Sequence, residues 1–349
     1  MFKKISSEEI VDFSKNLAVM LKSGITINEA LATLSDQASS RKLQEILKNV
    51  KKDVEMGTSL ADAFAKEEKI FGKVFIVFLR AGEASGNLEK NLAFLADWME
   101  HNNDLRKSIN SATLYPKIVF SATLILGGGL AVFILPRLVP LFQQLNVQLP
   151  LFTRILMAIA FFLQKFWLVV LICLIALLIF FIFINKIRLI KRFFHSLYLK
   201  TPFIGKLLIE YQLALLSQIF SVLLRSGLTI SESLDIAAEI PTNILYQESI
   251  GNCKKRVVRG TVFSETLKDY PQLYPKNMIN ILNTAERSGT LEESFFYLAD
   301  FYSKEVNNRT KRLPVIIEPI LLIFIGLALG FVALAIIMPI YQITKGFGH

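Results

Sequence analysis

The chain has 349 residues, 53% of them hydrophobic and 28 of them phenylalanine, with a formal charge of +10 and a mean hydropathy of +0.47. So apolar a composition at this length excludes an ordinary soluble globular protein. Two cysteines and three scattered histidines exclude a disulfide framework, and no HExxH, CxxC or GxxxxGK[ST] occurs, so no metal, cofactor, catalytic or nucleotide-hydrolysing site is expected.

Residues 1–115 read as a bundle of about six helices, with no alternating apolar and polar run to suggest a sheet. The stretch "MLKSGITINEAL", Met20 to Leu31, is a helix corner. Gly24 takes the left-handed position that ends one helix, and Thr26-x-x-Glu29 is a capping box for the next. Gly57 ends the third helix, and Gly86-Asn87 ends the fifth and starts the sixth.

The run "IVFSATLILGGGLAVFILP" then predicts a transmembrane helix over 116–139, since it is charge-free and near the about 20 residues needed to cross a bilayer. A short external hairpin is expected over 140–165. The run "FWLVVLICLIALLIFFIFI" predicts a second span over 166–185.

Residues 186–312 read as a second helical bundle, and here the first one returns. "LLRSGLTISESL", Leu223 to Leu234, repeats the earlier corner 203 positions later, with Gly227, Thr229 and Glu232 in the places of Gly24, Thr26 and Glu29. At the same offset Gly57-Thr58 recurs as Gly260-Thr261, "GEASGNLE" as "AERSGTLE" with Gly289 for Gly86, Pro116 as Pro319, and Pro136 as Pro339. A gapless match from about residue 13 to residue 140 predicts an internal duplication. In the second copy Gly289-Thr290-x-x-Glu293 also reads as a stop followed by a cap. The run "PILLIFIGLALGFVALAIIMP" predicts the third span over 313–340, leaving 341–349 as an external tail.

Basic residues choose the orientation. Arg106, Lys107 and Lys117, then Lys186, Arg188, Lys191, Arg192, Lys200 and Lys206, then Lys304, Arg309, Lys311 and Arg312 flank the spans on one side, against Arg137, Arg154, Lys165 and Lys345 on the other. Both bundles are therefore expected in the cytoplasm, in a multi-pass membrane protein. The crowding of basic residues at the membrane edge fits anionic lipid and argues against direct nucleic-acid binding.

Within the spans, Gly326-x-x-x-Gly330 and Thr123-x-x-x-Gly127 occupy matching places and are expected to let helices approach closely. Glu318, next to Pro319 at the inner edge of the third span, either snorkels to the interface, pairs with Arg312 or Lys117, or is a functional contact. Glu83 and Glu286 fall in the last turn of matching helices, where the helix dipole disfavours a carboxylate by roughly 0.3 to 1 kcal/mol. Glu83 has Arg80 three residues back, but Glu286 has Asn283 there. Unless both simply reach water, its partner is another helix, a neighbouring subunit, another protein or a cation. On that reading Glu286→Gln impairs assembly without lowering the melting point of its domain.

The paired "SGxTxxEAL/ESL" and "SGxLE" corners, "LYPKIVF" against "IEPILLI", and the span endings "FILPRLVPLF" and "IIMPIYQI" resemble the inner-membrane platform proteins of type IV pili and type II secretion, the GspF/PilC family. The resemblance covers nearly the whole chain and implies an all-α membrane protein with two homologous cytoplasmic bundles and three transmembrane helices. It implies a non-catalytic platform for pilus assembly, secretion or competence that couples a cytoplasmic assembly ATPase to insertion or extraction of pilin-like subunits. Its implied partners are that ATPase, the pilin-like subunits, other inner-membrane assembly proteins and further copies of the chain. A transporter built on an internal repeat is the alternative, but it normally puts most of its mass in the membrane. An intramembrane protease needs a paired acid or an activated serine, and Glu318 stands alone in the spans.

Overall fold

The computed structural model describes residues 5–129, 151–184 and 188–346, and among these the chain is helical, without strands. It forms two compact units, one from Met1–Ser108 with Arg192–Asn308, the other from Ile109–Lys191 with Arg309–His349.

In the first unit, copy one contributes α1 (Ser7–Lys22), α2 (Ile27–Gln37), α3 (Arg41–Glu55), α4 (Leu60–Ala65), α5 (Glu68–Phe71), α6 (Lys73–Ser85) and the start of α7 (Leu88–Gly129). After α8 (Leu151–Ile184), copy two contributes α9 (Arg188–Lys200), α10 (Ile204–Arg225), α11 (Ile230–Ala237), α12 (Ile244–Val257), α13 (Phe263–Leu267), α14 (Lys276–Ser288) and the start of α15 (Leu291–Gly346). Helices α1–α4 thus repeat as α10–α13, α6 as α14 and α7 as α15. The short α5 is a turn in copy two.

Local chemistry sets these boundaries. Ser6, Thr26, Ser40, Ser59, Thr229 and Asn243 each accept a hydrogen bond from a backbone amide in the first turn they precede. At the far ends Gly86 and Gly289 are left-handed, with φ of 68° and 75°, a conformation that costs other L-residues about 1–2 kcal/mol.

The two cores fill the same frame differently. Copy one packs Phe13, Phe64, Phe71 and Phe75, with ring centroids of Phe64–Phe71 4.8 Å apart and Phe64–Phe75 5.0 Å apart. At the offset positions copy two has Leu216, Leu267, Tyr274 and Met278, all buried. Its own phenylalanines are one layer away, with Phe220 stacked on Phe295 at 4.8 Å and 5.5 Å from Phe263. Copy one fills that layer with Leu17, Leu60 and Leu92. Large side chains in one layer are offset by smaller ones in the next, which keeps interior volume constant.

Three helices are long and apolar enough to cross a membrane: Leu88–Gly129, Ile204–Arg225 and Leu291–Ala335. Ile204–Arg225 is not a span, because 72% of its apolar window is buried inside the first unit as the counterpart of α1. The Phe166–Ile184 stretch of α8 carries no charge and is close to the length needed to cross. The helix α8 begins at Leu151 and kinks at Phe166 (φ −115°, ψ 21°). Residues 151–165, expected in the hairpin, are therefore helical, which their apolar composition favours once Arg154 and Lys165 mark only the two ends of the segment. Residues 140–150 and Pro136 lie outside the described residues.

In the second unit α8 meets α15. The Thr153 hydroxyl donates to the Ala335 carbonyl at 2.7 Å, and Ala335 is buried among Met157, Phe331 and Val332. Phe120 of α7 lies 5.9 Å from Phe324 of α15.

Candidate functional site

The helix corners form as the sequence indicates, with one difference between the copies. At Thr229 the box is reciprocal: Thr229 accepts from the Glu232 amide, and Glu232 accepts from the Thr229 amide at 2.8 Å. That bond holds the Glu232 carboxyl below its usual range. At Thr26 only the hydroxyl half is present, 3.3 Å from the Glu29 amide. Gly24 and Gly227 are left-handed, with φ of 81° and 91°. Thr290 does not cap as expected; its hydroxyl meets that of Ser288 at 2.6 Å.

Glu83 and Glu286 find their partners inside their own copies. The Glu83 carboxylate accepts from the amides of Leu60 and Ala61 at 2.5 and 3.1 Å, and Glu286 from those of Phe263 and Ser264 at 2.7 and 2.8 Å. Each carboxylate at the C-terminal end of one helix thus seals the N-terminal end of another, where orphan amides and the dipole favour a negative charge. Arg80 pairs instead with Asp62 at 2.8 Å. The partner of Glu286 is thus the start of the preceding helix, α13, 22 to 23 residues back along the chain, a separation that local helical spacing does not reveal.

A second clamp escaped the sequence reading. Glu9 accepts from the Ser40 amide at 2.7 Å, and its counterpart Gln212 from those of Thr242 and Asn243 at 3.0 and 3.4 Å. His195, read as scattered, accepts at Nδ1 from the Ile244 amide at 3.0 Å.

The two copies meet within the first unit around Trp98. On one side, the Arg225 guanidinium lies 5.1 Å from the Phe94 ring centroid and 5.4 Å from that of Phe296, and Glu292 anchors it at 3.2 Å. A cavity of about 210 Å³ opens there, lined also by His101, Gln218 and Ser221. On the other side Lys73 pairs with Glu239, and Arg106 and Tyr211 line one cavity, where burial raises the pKa of the phenol against the pull of that guanidinium. A cation between two aromatic faces is an attraction of about 0.5–1 kcal/mol or more as water is excluded. The signal in the sequence is the i, i+4 pair Phe94/Trp98, matched by Tyr297/Phe301 in copy two.

At the membrane edge, Pro116 lies inside α7, and Pro319 and Pro339 inside α15. Glu318 is exposed on α15. A Cβ added to Gly127, Gly326 or Gly330 meets nothing within 4 Å. Among the described residues nothing packs against these glycines, and Thr153 and Ala335 form a tight helix contact. Among the described residues no three His, Cys, Asp or Glu side chains gather to hold a metal.

Known proteins are similar to this chain in sequence along nearly its whole length. The family model described as type II secretion system protein F matches twice, at residues 13–136 and 216–339. Type IV pilus assembly protein PilC of Thermus thermophilus is 34% identical over 340 residues, covering 96% of this chain and 82% of its own length. PilC of Pseudomonas aeruginosa is 26% identical, covering 99% and 92%. Type II secretion system protein F of the same organism is 27% identical, covering 99% and 85%. The two matches of one family model are themselves 203 positions apart, the offset at which the chain repeats itself, and on that footing the protein belongs to the GspF/PilC family, that of type II secretion system protein F.

Proposed function

We propose that the chain is the inner-membrane platform of a type IV pilus or type II secretion machine, and that it is non-catalytic, converting work done by a cytoplasmic assembly ATPase into movement of pilin-like subunits. One observation carries this reading furthest. Helices α7 and α15 each begin in the bundle and run without a break into an apolar, outward-facing stretch, so a force applied to the bundle reaches a membrane span through a continuous backbone. The relatives named for pilus assembly and for type II secretion support the class of machine. On this reading both copies lie in the cytoplasm, residues 140–165 and 341–349 lie outside, and Glu318 meets a pilin-like subunit at the inner edge of the third span.

The test is retention of the assembly ATPase on immobilised full-length chain in lipid nanodiscs. ATP hydrolysis is expected only when the ATPase is added. Turnover by the chain alone, or failure to retain the ATPase, would overturn the reading. Topology is checked with an impermeant maleimide on intact cells. Cys253 is no reporter, because it is 1% exposed and burial raises its thiol pKa. In a Cys173→Ser background, Lys255→Cys at an exposed position is expected to stay unlabelled and Asn146→Cys to react.

A further inference from the structure

The two copies meet through non-equivalent faces. Copy one presents Lys73 of α6 and Phe94 and Trp98 of α7. Copy two receives them on α10 and on the turn after α11, through Leu215, Arg225 and Glu239. A contact of this kind uses one face of each repeat and leaves the other face of each open.

The 203-residue offset identifies those open faces. The presenting face of copy two is Lys276, Tyr297 and Phe301, and the receiving face of copy one is Val19, Lys22 and Asp36. They are uncovered: Tyr297 is 57% exposed, Phe301 37% and Val19 61%, and Lys22, Asp36 and Lys276 are exposed as well. The exposed aromatics are stacked on each other, 6.4 Å apart.

The chemistry of each contact survives the exchange. Where Lys73 meets Glu239, the open faces offer Lys276 and Asp36, again a lysine and an acid. Where Phe94 meets Arg225, they offer Tyr297 and Lys22, again an aromatic ring and a cation. The receiving face is also more acidic than its used counterpart, with Glu8 and Asp12 in place of Tyr211 and Leu215, and the presenting face adds Lys304 where copy one has His101. We propose that the open faces bind each other between chains, so that the presenting face of copy two in one molecule docks on the receiving face of copy one in the next. The occupant is a second copy of this chain, held head to tail by the operator that already joins the two repeats. Successive contacts of this type close into a ring or extend as a row. With acids replacing Tyr211 and Leu215, the contact between chains is more polar than the one within a chain and more readily released by salt.

The test uses purified full-length chain, reconstituted in lipid from an equal mixture of ¹⁴N and ¹⁵N protein and treated with a zero-length carbodiimide. This reagent joins a lysine to a carboxylate that pairs with it. A Lys73–Glu239 cross-link of unmixed isotope is the internal control. A Lys276–Asp36 cross-link of mixed isotope is expected. Asp36→Lys is expected to abolish it and shift the chain to monomer, and Lys276→Asp added to that variant to restore the oligomer. Both changes suit their helix ends, since Asp36 is in the last turn of α2 and Lys276 in the first of α14, so loss of fold does not mimic loss of docking. The control cross-link without the mixed one, or an oligomer indifferent to Asp36→Lys, would overturn the proposal. So would a Lys276 cross-link to a different protein when native membranes are treated.

Discussion

Glu83 and Glu286 place a carboxylate at the unfavourable end of one helix and the favourable end of another, and the second effect wins. Two charge-assisted amide bonds contribute about 1.5–3 kcal/mol each by the usual measure, against roughly 0.3 to 1 kcal/mol lost to the dipole. Glu286→Gln, which keeps one acceptor and loses the charge, is expected to lower stability by about 1–3 kcal/mol; thermal unfolding followed by circular dichroism checks it, and an unchanged midpoint would contradict the clamp. Glu232 supplies a pH test. Its folded pKa lies below the ordinary 4.5, so its contribution is present above that value and is lost as pH falls through the folded pKa. Glu232→Gln is expected to lower the unfolding midpoint at pH 7, and the gap from the parent chain to close as the medium is acidified below pH 4.5. The sequence made it legible that both carboxylates needed a partner, since the dipole argument is local. It did not identify Leu60 and Phe263 as the donors, because those amides come close only through tertiary packing, and Glu9, Gln212 and His195 went unnoticed for the same reason.

Helix ends were the most legible elements, because glycine at positive φ and hydroxyl caps act within one turn. The glycines differ in what they do, however. Gly289 is left-handed at φ 75°, whereas Gly251 lies inside α12, is free of positive φ, and has nothing within 4 Å of an added Cβ. Gly289→Ala is expected to destabilise by about 1 kcal/mol, and Gly251→Ala to stabilise by roughly 0.5–1 kcal/mol; urea unfolding of the two variants side by side gives opposite signs if the assignment is right. The aromatic layers were not legible, since pairing Phe64 with Phe71 in one copy and Phe220 with Phe295 in the other depends on how volumes sum across helices. Leu17→Phe, which gives copy one the residue that copy two has at the same place, adds volume to a core whose neighbouring layer is already filled by phenylalanine. A loss of about 1–3 kcal/mol in unfolding free energy is expected.

At the scale of the whole molecule, the duplication and the apolar runs were visible because they are patterns along the chain. The points at which the units part were not, for the borders at Ser108 and Asn308 fall inside α7 and α15, where no linker composition marks them. That placement has a mechanical meaning. Each of these helices continues past the border, and the prolines just beyond it, Pro116 in α7 and Pro314 and Pro319 in α15, remove backbone bonds and ease bending while the remaining ladder still resists twist. Rotational phase is then what such a helix conveys, and phase can be altered without altering any surface. One alanine inserted after Glu305 turns everything beyond it by about 100°, whereas four return it to within about 40° of its starting angle. Pilus assembly or secretion measured in cells is expected to fail with one added residue and to recover in part with four. Equal activity in both would mean that α15 carries no torque.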